Sequence, residues 1–383
     1  MDPTPELHKH NRTKRGILID HISKHAGIDR VDSAAWAFLW LADIERLRAL
    51  AIYSEVNPGS VTRFLNQSEV FRDILELWLT RTRVPEPWKL RPDSDMEYQA
   101  SMVDHCNLRD SSRCVITTAG EANEIAHIAP FHLGGEKNKA WDSLFWKHLR
   151  VFWKPERVRR WFVATRRPEQ STNLMCLCLN GHALMQNARF ALRPMRRTAD
   201  TMEATFWWMP GSVYGERDIR KGPSPIDDKL DGSPLGCKLF DYGTAMVVKS
   251  GHHVEFRAAH PSNFPVPSRG VLEMHWYLNR VAALSGVPDL KDDYDRYGNC
   301  LDFELDDHAD AILDDDSESE HDRENEEEDH ADDTDGDGPS EQEESDSDTE
   351  SLMTEEETVE DRRDEEAQGC DAGYYEGDLI EFD

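Results

Sequence analysis

Nowhere does this 383-residue chain carry the 18 or more apolar residues in a row that a membrane-crossing helix needs, and no charged-then-apolar leader opens it. The expectation is a soluble, intracellular protein, nuclear or cytoplasmic, with no membrane partner. Cysteine is sparse: the seven residues Cys106, Cys114, Cys176, Cys178, Cys237, Cys300 and Cys370 are an odd number spread over a long chain. That pattern argues against a secreted disulfide framework and for reduced thiols. Structural zinc is disfavoured too. Cys176 and Cys178 are one residue apart, share a strand face and have no second Cys-x2–4-Cys pair to join, so they read as thiols buried in a sheet. Cys114 reads as a core residue preceding the first strand of its segment. No repeat is visible at solenoid or propeller periods.

Positive charge is nearly missing from the C-terminal part. Between Asp302 and Asp383 only Arg323, Arg362 and Arg363 stand against 39 acidic residues, a net −36, whereas the remainder of the chain carries +4. The overall charge of −32 therefore describes one region, and it does not exclude a nucleic-acid partner for the rest. Residues 301–383 lack apolar periodicity and read as a disordered acidic tail. Two roles stay open for it: a solubilising extension, or a polyanion that competes in cis with nucleic acid for a basic surface. Its end, GYYEGDLIEFD (373–383), has the mixed acidic and aromatic character of a short motif for a protein partner. Ser317, Ser319, Ser345 and Ser347 lie among acids, where phosphorylation would add further negative charge.

The first 95 residues read as helical. A dense apolar run over 33–54, between an Asp32-Ser33 start and a Pro58-Gly59 break, suits one well-buried helix. A second is marked by Asn66 and Glu69 at capping-box spacing. Phe71, Ile74, Leu75, Trp78 and Leu79 follow on one face, until prolines 85, 87 and 92 end it. Residues 141–168 are helical in part, interrupted by Pro155 and Pro168. Strands are expected at 203–209 and at 244–257, where TAMVV and HVEFRA flank a Ser250-Gly251 turn. A last helix spans 270–285, with Val271, Met274, Leu278 and Val281 on one face and Gly286 closing it.

Three segments in the middle carry the chemistry: CVITTAGEANEIAHIAP (114–130), NLMCLC (173–178) and GHALMQNARFALRP (181–194). Together they resemble the HNH endonuclease family, and in particular its fungal-type nuclease domains. The closest likeness covers 112–194, with a weaker one running on to the helix at 270–285. The resemblance implies an α+β chain with an embedded ββα-metal module. Its expected segments are a helical region 1–95, the HNH-like domain 96–200, a strand-and-helix extension 201–290 and the tail 301–383. It implies that His127 is the general base that takes a proton from water. Asn173 would orient that imidazole or the intervening loop, and His182 would be a metal ligand. A divalent ion, Mg2+, Mn2+ or Zn2+, is the implied cofactor.

These residue types suit phosphodiester hydrolysis on chemical grounds. An imidazole is partly unprotonated near neutral pH, and a cation neutralises charge that develops on phosphate. In the family the residue before the base often supplies a second ligand; here it is Ala126. The position four after the helix histidine is Gln186. Glu124 is the candidate substitute, although three residues before His127 on a strand it points to the other face, so a bend would be needed. Beside the module, 147–197 holds twelve basic residues against Glu156 and Glu169. Arg157, Arg159, Arg160, Arg166, Arg167 and Arg189 are the candidates for contact with DNA or RNA phosphates, the other reading being a solvated, ion-paired helix face. The expected function is a metal-dependent endonuclease. The alternative is an inactive HNH scaffold that binds nucleic acid or a protein partner.

Overall fold

A computed structural model describes residues 9–80, 95–134 and 140–293, a mixture of helices and antiparallel strands. The acidic region and the prolines at 85, 87 and 92 lie outside the described residues. The helices are α1 (Lys9–Ala26), α2 (Ser33–Leu41), α3 (Ile44–Val56), α4 (Pro58–Leu65), α5 (Ser68–Leu79), α6 (Asp95–Arg109), α7 (Leu144–Phe152), α8 (Pro155–Thr165), α9 (Leu179–Gln186) and α10 (Arg269–Ser285). The strands are β1 (Arg30–Asp32), β2 (Asn123–His127), β3 (Leu174–Cys178), β4 (Phe190–Arg197), β5 (Thr201–Trp208), β6 (Glu216–Asp218), β7 (Phe240–Asp241), β8 (Met246–Val247) and β9 (His252–Arg257). They pair as β1–β6, β2–β3, β4–β5–β9 and β7–β8, all antiparallel.

At the centre is α2, SAAWAFLWL, in which every residue is buried. A helix apolar on all sides has no solvent face to present, so it is covered all round. The Asp32 side chain caps it, accepting from Ala34 N at 2.7 Å. The expected single helix over 33–54 is two. Ala42 is extended, and Asp43 turns out of the helix to accept from Lys154 N at 3.0 Å and to pair with Arg157. Pro58 does not merely end α3 but begins α4, where its missing N–H costs nothing. The Asn66/Glu69 capping box does not form: Gln67 precedes α5, and no side chain caps that end. The predicted face of α5 is buried in full.

Helix α10 joins these helices to the three-stranded sheet. His275 Nδ1 accepts from Leu192 N at 3.3 Å, and Asn279 Nδ2 donates to Phe190 O at 2.8 Å. The outer edge of β4 is therefore hydrogen-bonded by helix side chains in place of another strand. Trp78 of α5 donates to Asn279 Oδ1 at 2.8 Å, closing the network. Gly286 ends α10 at φ +79, and a Cβ there would lie 2.4 Å from Tyr214 N, so glycine is required twice over. The strands expected over 244–257 do not form one hairpin. β8 pairs with β7 and β9 with β5, because Gly251 N binds Phe206 O and hands the chain to the larger sheet.

Two buried charged groups tie the elements together. The Arg109 side chain, at the end of α6, pairs with Asp110 at 2.7 Å and donates to Ser171 O, Leu174 O and Pro265 O at 2.8, 2.8 and 3.2 Å. Asp110 in turn accepts from Cys176 N at 2.9 Å. His148 of α7 stacks on Phe64 at 5.4 Å, and burial pushes its pKa down to about 4.

Replacing Arg109 with Met should cost about 3–5 kcal/mol in urea denaturation, because Asp110 would keep its charge without its partner. A loss below about 1 kcal/mol would show the pair to be dispensable. His148 produces a pH dependence. An unfolded imidazole titrates near pH 6.5, so between about 6.5 and 4 the unfolded chain binds a proton that the folded one refuses. Stability is lost as the pH falls through that window, by about 2–3 kcal/mol, and His148→Phe should flatten the profile.

Candidate functional site

The three quoted segments fold into one unit of two strands and a helix. β2 and β3 pair without a bulge, His127 opposite Leu174 and Glu124 opposite Leu177. α9 follows β3 directly. The Cys178 sulfur caps it, accepting from Gly181 N at 3.4 Å, and the helix packs back over both strands. A turn at Cys114–Thr118 braces the far end of the unit: Val115 N donates to Cys176 O at 3.0 Å, and Cys114 Sγ accepts from Thr117 N at 3.4 Å.

Asn173 is fully buried immediately before β3. Its amide oxygen accepts from Ala129 N at 2.8 Å, and its Nδ2 donates to Ala129 O at 3.0 Å and Pro168 O at 2.9 Å. Its own backbone oxygen accepts from Ile128 N at 2.8 Å. One side chain thus holds the exit of β2 and the end of the α8 segment. These contacts run to the loop backbone at Ala129 and Pro168. Gly134 completes this packing, since a Cβ there would meet Pro168 Cδ at 2.4 Å.

His182 on α9 donates from Nδ1 to Glu124 Oε2 at 2.6 Å, and the Gln186 side-chain nitrogen lies 3.5 Å from its Nε2. Glu124 reaches α9 without the bend that the sequence suggested. It shares a strand face with Ala126, and that face looks towards the helix. Strand alternation turns the His127 side chain to the other face, where its ring meets Phe131 edge-on at 5.6 Å. His127 and His182 are 4% and 3% exposed, so neither ring is open to solvent in this conformation.

An imidazole and a carboxylate 2.6 Å apart form a workable two-donor set for a divalent ion, provided that water and phosphate oxygens complete the shell, as Mg2+ usually requires. They are not a three-ligand cage. Among the described residues, the His/Cys/Asp/Glu group of three or more whose ligand atoms converge is elsewhere, at His21, His25 and Glu55.

No protein-family model, curated protein or solved structure matches this chain. The site is therefore read from its own geometry.

The thiols around the unit are free. Burial pushes Cys176 up to about 12 and Cys106 well above the usual thiol range. Cys114 and Cys178 share a sulfur–sulfur hydrogen bond. That bond, helped by Thr117, holds Cys114 below the usual range, while the same bond together with burial raises Cys178.

The arginines divide. Arg157 is committed to Asp43, to Glu273 at 3.3 Å and to the Tyr277 ring at 5.0 Å, while Arg189 pairs with Asp289. Both are engaged in ion pairs, that of Arg189 lying at the surface. Arg159 and Arg160 are exposed and line a groove with Arg197 and Arg269, beside Glu156 and Glu273, the second of which Arg160 also meets at 3.5 Å. Arg269 was beyond the reach of sequence reading, being about 70 residues from the basic run. Arg166 and Arg167 are exposed at the end of α8, next to the Pro168 that Asn173 holds.

Asn173→Ala strands two carbonyls and one N–H in a buried place, at about 1–3 kcal/mol for each group left without a partner. Urea denaturation should show a loss of several kcal/mol. Asn173→Asp, which sets a carboxylate oxygen against two carbonyl oxygens in a buried place, should lose at least as much. Equal stability of all three proteins would contradict the pinning role.

Proposed function

We infer that this chain is an HNH-type, metal-dependent endonuclease that hydrolyses phosphodiester bonds in DNA or RNA, with β2, β3 and α9 as its ββα module. The observation that carries the reading is the Glu124–His182 pair, joined across the strand–helix contact at 2.6 Å, on the same two strands whose ends Asn173 locks together. Glu124 stands in for the ligand that Ala126 cannot supply, from the same face two residues earlier. His182 and Glu124 would hold the ion, which when bound neutralises charge on the phosphate and the leaving oxygen.

His127, at the last position of β2, takes the proton from the attacking water. Its ring position is set by Phe131 and by the loop that Asn173 secures. Arg159, Arg160, Arg166 and Arg167 supply phosphate contacts that position the polynucleotide without reading its sequence. The acidic tail, opposite in charge to that surface, acts as a brake in cis.

One set of observations favours a second reading, an inactive scaffold that binds nucleic acid or a protein partner. The pleat separates His127 from the Glu124–His182 face, both imidazoles are covered, and Gln186 offers only an amide.

Cleavage of supercoiled plasmid and of single-stranded RNA by the full chain, with Mg2+, Mn2+ or Zn2+, separates the two. The nuclease reading expects metal-dependent cleavage that falls about 100-fold or more in His127→Ala, falls likewise in Glu124→Gln, and rises when residues 302–383 are removed. Unchanged cleavage in His127→Ala refutes it. Binding without cleavage in any metal, weakened by Arg159→Glu with Arg160→Glu, establishes the scaffold.

A further inference from the structure

Away from the ββα unit, α1 lies along α3, burying Ile19, Ile22 and Ala26 on the shared side. At the margin of that contact His21 and His25 project from successive turns of α1, and Glu55 comes from the last turn of α3. His21 Nε2 is 2.7 Å from Glu55 Oε1, and the two imidazole rings meet edge-on with centroids 4.2 Å apart. One ligand atom from each of the three residues falls within 4.8 Å of the others. We propose that His21, His25 and Glu55 form a binding site for a divalent transition-metal ion of the Zn2+ class, which fastens α1 to α3.

The donor set decides the class of ion. Two imidazole nitrogens and one carboxylate oxygen suit Zn2+ and its neighbours, whereas Mg2+ and Ca2+ favour shells made mainly of oxygen, which two nitrogens out of three donors do not supply. Bonds of 2.0–2.1 Å to a tetrahedral ion place neighbouring donors about 3.3 Å apart. One donor pair stands at 2.7 Å and no two donors are more than 4.8 Å apart, and the side chains involved are half-buried or exposed, so rotamer adjustment on a fixed backbone suffices.

The backbone frame is already set. Residues at i and i+4 of a helix share a face, and α3 brings the carboxylate alongside. The ammonium of Lys24, the residue before His25, is directed to Asp20 at 2.7 Å. On binding, the ion replaces the proton that joins His21 to Glu55. The fourth position stays open to solvent, because His25 and Glu55 lie at the surface.

The site is independent of the nuclease reading, and the test keeps the two apart. The full chain is titrated with Zn2+ by calorimetry in millimolar Mg2+, and its thermal midpoint is followed with and without Zn2+. The expected result is one binding event of micromolar strength and a rise of several degrees in the midpoint. Both should be lost in His25→Ala and weakened at least tenfold in Glu55→Gln, while His182→Ala retains them. Far-UV circular dichroism of each metal-free variant confirms that it is folded. A Zn2+ titration that is the same in His25→Ala as in the parent protein, or a parent protein with no binding event, overturns the proposal. A binding event lost only in His182→Ala overturns it as well and assigns the ion to the ββα unit.

Discussion

The Arg109 guanidinium, buried against Asp110, is the constraint on which the middle of the molecule depends. Its hydrogen bonds to the carbonyls of Ser171, Leu174 and Pro265 collect three separate stretches of backbone at the end of α6. Asp110 takes the N–H of Cys176, so the outer edge of β3 is occupied by a carboxylate instead of a further strand. A two-stranded ribbon on its own is marginal in water. Here one buried ion pair supplies what a third strand would, and it does so with nearly every polar atom engaged, the condition under which burying charge is tolerable.

That constraint sets the precision of the candidate site. With β3 held from behind by Asp110 and Arg109, Asn173 can hold the exit of β2 and the Pro168 carbonyl together. The positions of His127 and His182 then follow from strand register and from the way α9 springs directly off Cys178. Positioning by buried hydrogen bonds suits a group that must meet a reacting atom to within a fraction of an ångström, and it serves a rigid binding surface equally well. Polar side chains do comparable work elsewhere in the chain, where His275 and Asn279 of α10 cover the edge of β4.

Much of this was legible in the residue order. The buried face of α5 and the end of α10 at Gly286 are written in local chemistry: apolar period and glycine at a left-handed position. Pro155, expected to interrupt a helix, instead begins α8, where a proline in the first turn gives up no hydrogen bond. The break at Ala42-Asp43 was not legible. Asp43 leaves the helix for Lys154 and Arg157, more than a hundred residues away, and no local pattern announces such partners. The strands expected over 244–257 part company for a similar reason, since adjacent strands pair with each other only when no better edge is offered, and β5 offers one to β9.

The candidate site divides in a similar way. Its residue types and their order, His127, Asn173 and His182 with Glu124 nearby, belong to the sequence alone. So does the concentration of acid in the last 80 or so residues. Tertiary structure decided which of these groups meet. It put Glu124 on His182, turned His127 to the opposite face, paired Arg157 with Asp43 and Glu273 and Arg189 with Asp289, and brought His21 and His25 to Glu55. The physical reason is one of range. Propensity, capping and pleat act over a few residues, whereas a side chain's partner is set by which distant surfaces the core has pressed together.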